Sequence, residues 1–130
     1  MRVNTPNEHD VITTPNAEMT RLATPSRGSR ELSTWTVRMA PGTQGPAHSV
    51  DREQVWVPLS GTLAVASGDA GASGAEPALV GPGQAAVLPA GEVRRISAGT
   101  EPVEALVCMR HGGRATLPET GEARTIPWTE

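Results

Sequence analysis

The chain has 130 residues, a length that suits a single domain with one hydrophobic core. Its formal charge of −3 and pI near 5.6 give no basic surface of the kind that nucleic acids bind, so we expect no nucleic-acid and no membrane partner. Three tryptophans are the only aromatic residues, because the chain has no Phe and no Tyr. Aliphatic residues and methionine must therefore fill most of the core.

Cysteine and arginine usage bear on location and source. All eleven basic residues are arginine, a bias that indicates a GC-rich bacterial genome. The single cysteine, Cys108, excludes an internal disulfide, and residues 1–30 lack the apolar stretch of a signal peptide or membrane span. These features predict a cytoplasmic protein.

In chain order, residues 1–20 are predicted to form an N-terminal arm, residues 21–115 a barrel, and residues 116–130 a C-terminal tail packed on it. The arm mixes Pro, Asn and Thr, and its VITT segment could pair at a sheet edge and help two copies associate. Trp128 is the expected anchor of the tail.

The barrel region alternates short strand-forming segments with Gly- and Pro-rich turns. The Gly-rich segment GDAGASGAEP predicts a hairpin tip with weak order around residues 68–76. No segment shows a helical period, so the pattern favours an all-β sandwich or barrel. The predicted strands are LSTWTVRMA, EQVWVPL, TLAVAS, ALV, AAVL, VRRISA and VEALVCMR.

Two segments resemble the two sequence motifs of the cupin superfamily. PGTQGPAHSVDREQVWVPLSG (residues 41–61) resembles the first motif, and GPGQAAVLPAGEVRRISA (residues 81–98) resembles the second. With the flanking strands, the resemblance covers most of the chain. It implies a cupin jelly-roll antiparallel β-barrel, here with an extended N-terminal arm, and a homodimer.

Most of the family's metal-ligand positions are altered in this chain. His48 matches the first histidine of the first motif, Val50 replaces the second, Gln54 replaces the glutamate, and Arg94 replaces the histidine of the second motif. Valine offers no donor, glutamine offers only a neutral carbonyl oxygen, and a guanidinium would repel a divalent ion. We therefore expect no metal and no other cofactor.

The strand register decides which acidic or amide group faces the lumen. Neighbouring side chains of a strand face opposite sides, so Glu53 and Gln54 cannot both point inward. Gln54 is assigned inward because Trp56 and Pro58 then share its face; a slip of one residue would instead place Glu53 in the glutamate role. The outward face would pack on another sheet or subunit through Val55, Val57 and Leu59.

The altered motif predicts a ligand pocket in the lumen. His48 is the candidate general acid or base because the ordinary histidine pKa of about 6.5 lies near working pH. Arg94 is the candidate catalytic cation, able to hold an anionic ligand or a developing oxyanion. The candidate ligand-binding residues are Gln54, Trp56, Met39 and Cys108.

These residues favour a protein that binds a small carbonyl or carboxylate compound. The resemblance allows a metal-independent isomerase, dehydratase or cyclase of bacterial metabolism related to natural products. One alternative is a metal-dependent oxygenase or isomerase that recruits His48 with Glu53, Cys108 or His111. Another is a non-catalytic ligand sensor or interaction subunit.

Overall fold

The chain folds into antiparallel β-strands joined by short turns, in a computed structural model that describes residues 1–68 and 76–130. Most of the hairpin tip expected at residues 68–76 lies outside the described residues. Every helix in the described parts is a single 3-10 turn: Glu8–Asp10, Pro25–Arg27 and Pro127–Thr129. None of these helices is long and apolar enough to cross a membrane. The strands are β1 Val11–Thr13, β2 Glu18–Ala23, β3 Leu32–Met39, β4 Ser49–Val50, β5 Gln54–Ser60, β6 Leu63–Ser67, β7 Ala78–Val80, β8 Ala86–Leu88, β9 Arg94–Ala98, β10 Val103–Arg110, β11 Arg114–Thr116 and β12 Ala123–Thr125.

The strands form two facing layers. One layer is a six-stranded sheet in the order β1-β2-β3-β10-β5-β8. The other consists of the three-stranded sheets β12-β11-β4 and β7-β6-β9, joined by backbone bridges at His48–Arg94 and Gln44–Ser97. The prediction of an all-β jelly roll is confirmed.

Alternating side chains of the two central strands build the core between the layers. In β3, Trp35, Val37 and Met39 point inward and are at most 5% exposed. In β10, Val103 and Val107 are at most 2% exposed on the same inner side. Because side chains of a strand alternate between faces, the residues between them point outward.

Strand β5 adopts the register predicted from the sequence. Gln54 and Trp56 are 4% and 8% exposed and point inward, whereas Glu53 is exposed. The outward residues Val55 and Val57 are half-buried, and Leu59 is 52% exposed. Association of two copies through this outer face stays a prediction.

The chain ends contribute strands that the sequence pattern shows only weakly. The VITT segment pairs with β2 at the edge of the six-stranded sheet, as the sequence suggested. The expected tail instead supplies β12, which pairs with β11, and Trp128 packs against the core. The Ser33 hydroxyl donates a 2.6 Å hydrogen bond to the Thr129 carbonyl oxygen, which fixes the final turn on β3.

The turn after β5 depends on Gly61 for two reasons. Its φ of 73° lies in the left-handed region, and a Cβ there would overlap the carbonyl oxygen of Pro102. Gly83 has a similar φ of 85°, but a Cβ there would meet open space.

The Gly61→Ala substitution should therefore lower the free energy of unfolding by clearly more than Gly83→Ala does. Gly83→Ala is the control, because it carries only the free-energy penalty of a left-handed backbone, about 1 kcal/mol. Urea denaturation of the two variants and the parent tests this difference. Equal losses in the free energy of unfolding would mean that the backbone around Pro102 moves away from the added Cβ at no energetic cost.

Candidate functional site

A cavity of about 290 Å³ lies between the two layers. Its volume is near the lower end of the range typical of small-molecule sites. Its buried walls are mostly apolar, and their polar groups include the Gln54 amide and the Trp35 indole N–H, which has no partner among the described residues. These walls include Trp35, Val37, Val50, Gln54, Trp56 and Ile96. Its rim is more exposed and includes Thr14, Pro46, Leu117, Arg124, Pro127 and Trp128.

His48 borders this cavity and is held there through its backbone and its ring. Its N–H donates to the Arg94 carbonyl oxygen at 3.0 Å, and its carbonyl oxygen accepts from the Arg94 N–H at 2.8 Å. Directly paired residues of antiparallel segments place their side chains on one face, so the two side chains are neighbours. The ring Nδ1 lies 2.9 Å from the Pro46 carbonyl oxygen, which can only accept. Nδ1 therefore carries the proton, and Nε2 presents its lone pair.

Burial keeps the His48 ring neutral. Desolvation lowers its pKa below the ordinary 6.5, and the nearby positive charge of Arg94 lowers it further, whereas the hydrogen bond to Pro46 partly opposes the shift. At neutral pH the ring is therefore an uncharged proton acceptor. Nε2 forms no hydrogen bond with any of the described residues, which leaves it for a ligand or water.

Gln54 connects the two layers through its side-chain amide. Its Oε1 accepts hydrogen bonds from Arg94 Nη2 at 2.8 Å and from Trp56 Nε1 at 3.0 Å. Because both partners are donors, they fix which end of the amide is the oxygen. The amide nitrogen meets Met109 Sδ at 3.5 Å, a weak contact that uses one N–H at most. The other N–H has no hydrogen-bond partner among the described residues.

Arg94 lies behind Gln54 instead of on the cavity wall, which corrects the expectation that its guanidinium meets a ligand directly. The residue is 1% exposed, and it is not among the residues that line the cavity. Nη1 donates to the Glu92 carbonyl oxygen at 3.4 Å, and Nε has no hydrogen-bond partner within the described residues. Burial lowers its pKa to about 10, with the Glu92 charge partly opposing the shift. The group is still a cation at neutral pH.

The other predicted site residues divide between the two faces of the six-stranded sheet. Met39 lines the cavity. Cys108 does not, because it alternates with the inward residues Val107 and Met109 and is half-buried on the outer face. The expectation that Cys108 lines the lumen is therefore wrong.

Sequence reasoning missed two aromatic walls of the cavity. Trp35 could have been found, because it alternates in phase with Met39 on β3. Trp128 carries no such signal, since the final turn reaches the rim only through its contacts with β3.

The residues at the family's metal-ligand positions do not fit a divalent metal ion. Val50 has no donor atom, and the Gln54 oxygen already accepts two hydrogen bonds. Arg94 brings its own positive charge to the same place. The alternative donors are not gathered either, because the described residues contain no cluster of three His, Cys, Asp or Glu side chains.

No protein-family sequence model matches the chain, and no curated protein sequence matches it. Solved structures do. The polyketide cyclase RemF from Streptomyces resistomycificus superposes with a TM-score of 0.68 at 21% identity, over 84% of this chain and 80% of that one.

Two further neighbours have the same architecture. A sugar phosphate isomerase of the cupin superfamily from Silicibacter pomeroyi gives a TM-score of 0.65 at 18% identity, over 81% of this chain and 67% of its own. KdgF from Halomonas sp. gives 0.63 at 19% identity, over 79% and 88%. The two facing sheets, the two motif segments and these neighbours together show that the chain has the cupin fold.

Proposed function

We propose that this cupin binds a small carbonyl or carboxylate compound and moves a proton on it without a metal, as an isomerase, dehydratase or cyclase. One observation carries the proposal: a buried cation, Arg94, is linked through Gln54 to a cavity that also presents the neutral base His48. Two structural neighbours are described as a polyketide cyclase and a sugar phosphate isomerase, so the fold hosts reactions of these classes.

In the proposed step, His48 Nε2 accepts a proton from a carbon next to the ligand's carbonyl group. The electron pair of the broken C–H bond forms a carbon–carbon double bond, and the π electron pair of the carbonyl group moves onto its oxygen, which becomes an enolate oxygen. The free N–H of Gln54 donates to that oxygen, and Arg94 acts as a positioning residue by polarising the same amide. The carbonyl group then re-forms. The protonated His48 gives its proton either to a more distant carbon of a conjugated enolate, which completes an isomerisation, or to a hydroxyl group whose bond to the neighbouring carbon breaks, which leaves as water.

The charge of Arg94 should favour anionic ligands although it does not touch them. At an effective dielectric of about 20, two unit charges about 8 Å apart interact by roughly 2 kcal/mol. This energy corresponds to about a thirtyfold difference in affinity.

We therefore expect the Arg94→Met variant to bind cyclohexanecarboxylate at least tenfold more weakly than the parent, with little change for cyclohexanecarboxamide. The matched control is Arg95→Met, which removes the same charge from the outward face of β9. NMR titration with both probes measures the two affinities. Equal losses of affinity for cyclohexanecarboxylate in Arg94→Met and Arg95→Met would show that the net charge of the protein, and not the position of Arg94, determines this affinity.

The lowered pKa of His48 gives a pH prediction. The NMR titration of the histidine resonance that disappears in His48→Gln should have a midpoint below 6.5, because burial disfavours the charged ring. Arg94→Met should raise this midpoint, though only in part, since desolvation is the larger cause. Proton-accepting activity should persist as the pH falls below 6.5 and disappear only near the lowered midpoint. A midpoint above 6.5 would contradict the role of the ring as a neutral base.

Metal content gives an independent check. The purified protein, incubated with zinc, iron, nickel or manganese and then desalted, should retain far less than one equivalent in elemental analysis. A variant combining Val50→His, Gln54→Glu and Arg94→His restores the donor types of the resembling family and should retain more zinc. Near-stoichiometric metal in the parent would contradict the proposal.

A further inference from the structure

All three aromatic residues of the chain line the same cavity. Trp35 lies on β3, Trp56 on β5 and Trp128 in the final turn, so they come from three distant parts of the sequence. The chain has no Phe and no Tyr, and the rest of its core is aliphatic or methionine. Large side chains that served only to fill the core would not have to meet around an open space.

The tryptophan walls are held in place before any ligand arrives. Trp56 Nε1 donates to Gln54 Oε1 at 3.0 Å, which fixes the plane of that indole. The turn that carries Trp128 is fixed by the hydrogen bond of Ser33 to Thr129 and by a 2.6 Å hydrogen bond from the Ser26 hydroxyl to the Glu130 carbonyl oxygen. A ligand that stacks on these rings would cost little ordering of the protein.

Two of the polar groups that border the cavity lie close together. Gln54 and His48 are neighbours through Arg94, which pairs with both. Trp35, whose indole N–H has no partner among the described residues, also lines the cavity, as do the rim residues Thr14 and Arg124. The remaining lining combines the three indole rings and the thioether side chains of Met19 and Met39 with aliphatic side chains. Sulfur and aromatic groups both make favourable contacts with π systems.

We propose that the natural ligand is a flat aromatic ring compound, about two fused rings in size, that carries its carbonyl or carboxylate group on one edge. The ring body lies against the tryptophans, and the oxygen-bearing edge points to His48 and Gln54. This inference rests on the proposed function and adds to it the chemical class of the substrate.

Two probes of equal charge and similar carbon skeleton test the aromatic requirement. 2-Naphthoate is flat and aromatic, whereas decahydro-2-naphthoate is its saturated counterpart. Isothermal titration calorimetry should show about tenfold tighter binding of 2-naphthoate, the effect of one or two stacked aromatic pairs. All aromatic fluorescence of the protein comes from the three cavity tryptophans, so bound naphthoate should also change the intrinsic emission.

Two substitutions of Trp128 test whether this residue contributes to the preference for 2-naphthoate. Trp128→Phe keeps an aromatic face at the rim and should retain most of the preference for 2-naphthoate. Trp128→Leu keeps an apolar side chain without the π face and should reduce the preference to about threefold or less. Thermal unfolding confirms that both variants are folded, and Leu79→Ala, an exposed change on β7 away from the cavity, is the control.

The outcomes separate this inference from the proposed function. Equal or tighter binding of the saturated probe by the parent protein would overturn the aromatic class and leave the proposed function standing. Binding of 2-naphthoate without a change in emission would overturn its placement in the cavity. If neither probe binds the folded protein although cyclohexanecarboxylate does, only the inference fails. If cyclohexanecarboxylate does not bind either, the proposed function fails as well.

Discussion

The hydrogen bond between Arg94 and Gln54 is the interaction on which the interior depends. It connects the two layers at 2.8 Å and provides the strongest partner of a guanidinium that is 1% exposed. A buried cation without a partner is costly, and the lowered pKa of about 10 reflects this cost. At pH 7 such a pKa still leaves only about one molecule in a thousand neutral. The folded chain therefore keeps a positive charge in its core.

The two altered motif positions make physical sense as a pair. A glutamate in the place of Gln54 would form an ion pair with Arg94 and cancel its field. Glutamine offers the same geometry with a neutral oxygen, so it orients the guanidinium and leaves the charge uncompensated. The hydrogen bond from Trp56 to the same oxygen fixes the amide and directs its nitrogen away from both donors. Arg94, at a position where the cupin motif has a metal-binding histidine, thus places a fixed cation in the core.

The fold could be predicted from the sequence because, in each central strand, several alternating residues agree on which face is buried. In β5 the inward positions Gln54, Trp56 and Pro58 agree with one another, and the structure has the same register. Cys108 could have been assigned correctly too, since it is in phase with the charged Glu104 and Arg110 on β10. The position of Arg94 behind Gln54 could not be predicted, because the path of a long side chain depends on contacts between strands far apart in sequence. The same holds for the final turn, whose attachment to β3 has no local pattern.

The apolar cavity and the buried charge depend on each other. Walls made mostly of tryptophan and aliphatic side chains offer few groups that screen charge, and a lower local dielectric lets the charge of Arg94 act on a ligand that it does not touch. Burial in the same surroundings lowers the pKa of His48 and keeps its Nε2 unprotonated. A more polar cavity would screen the cation and return the histidine toward its ordinary pKa. The base and the electrostatic stabilisation therefore have a common origin in the apolar walls of the cavity.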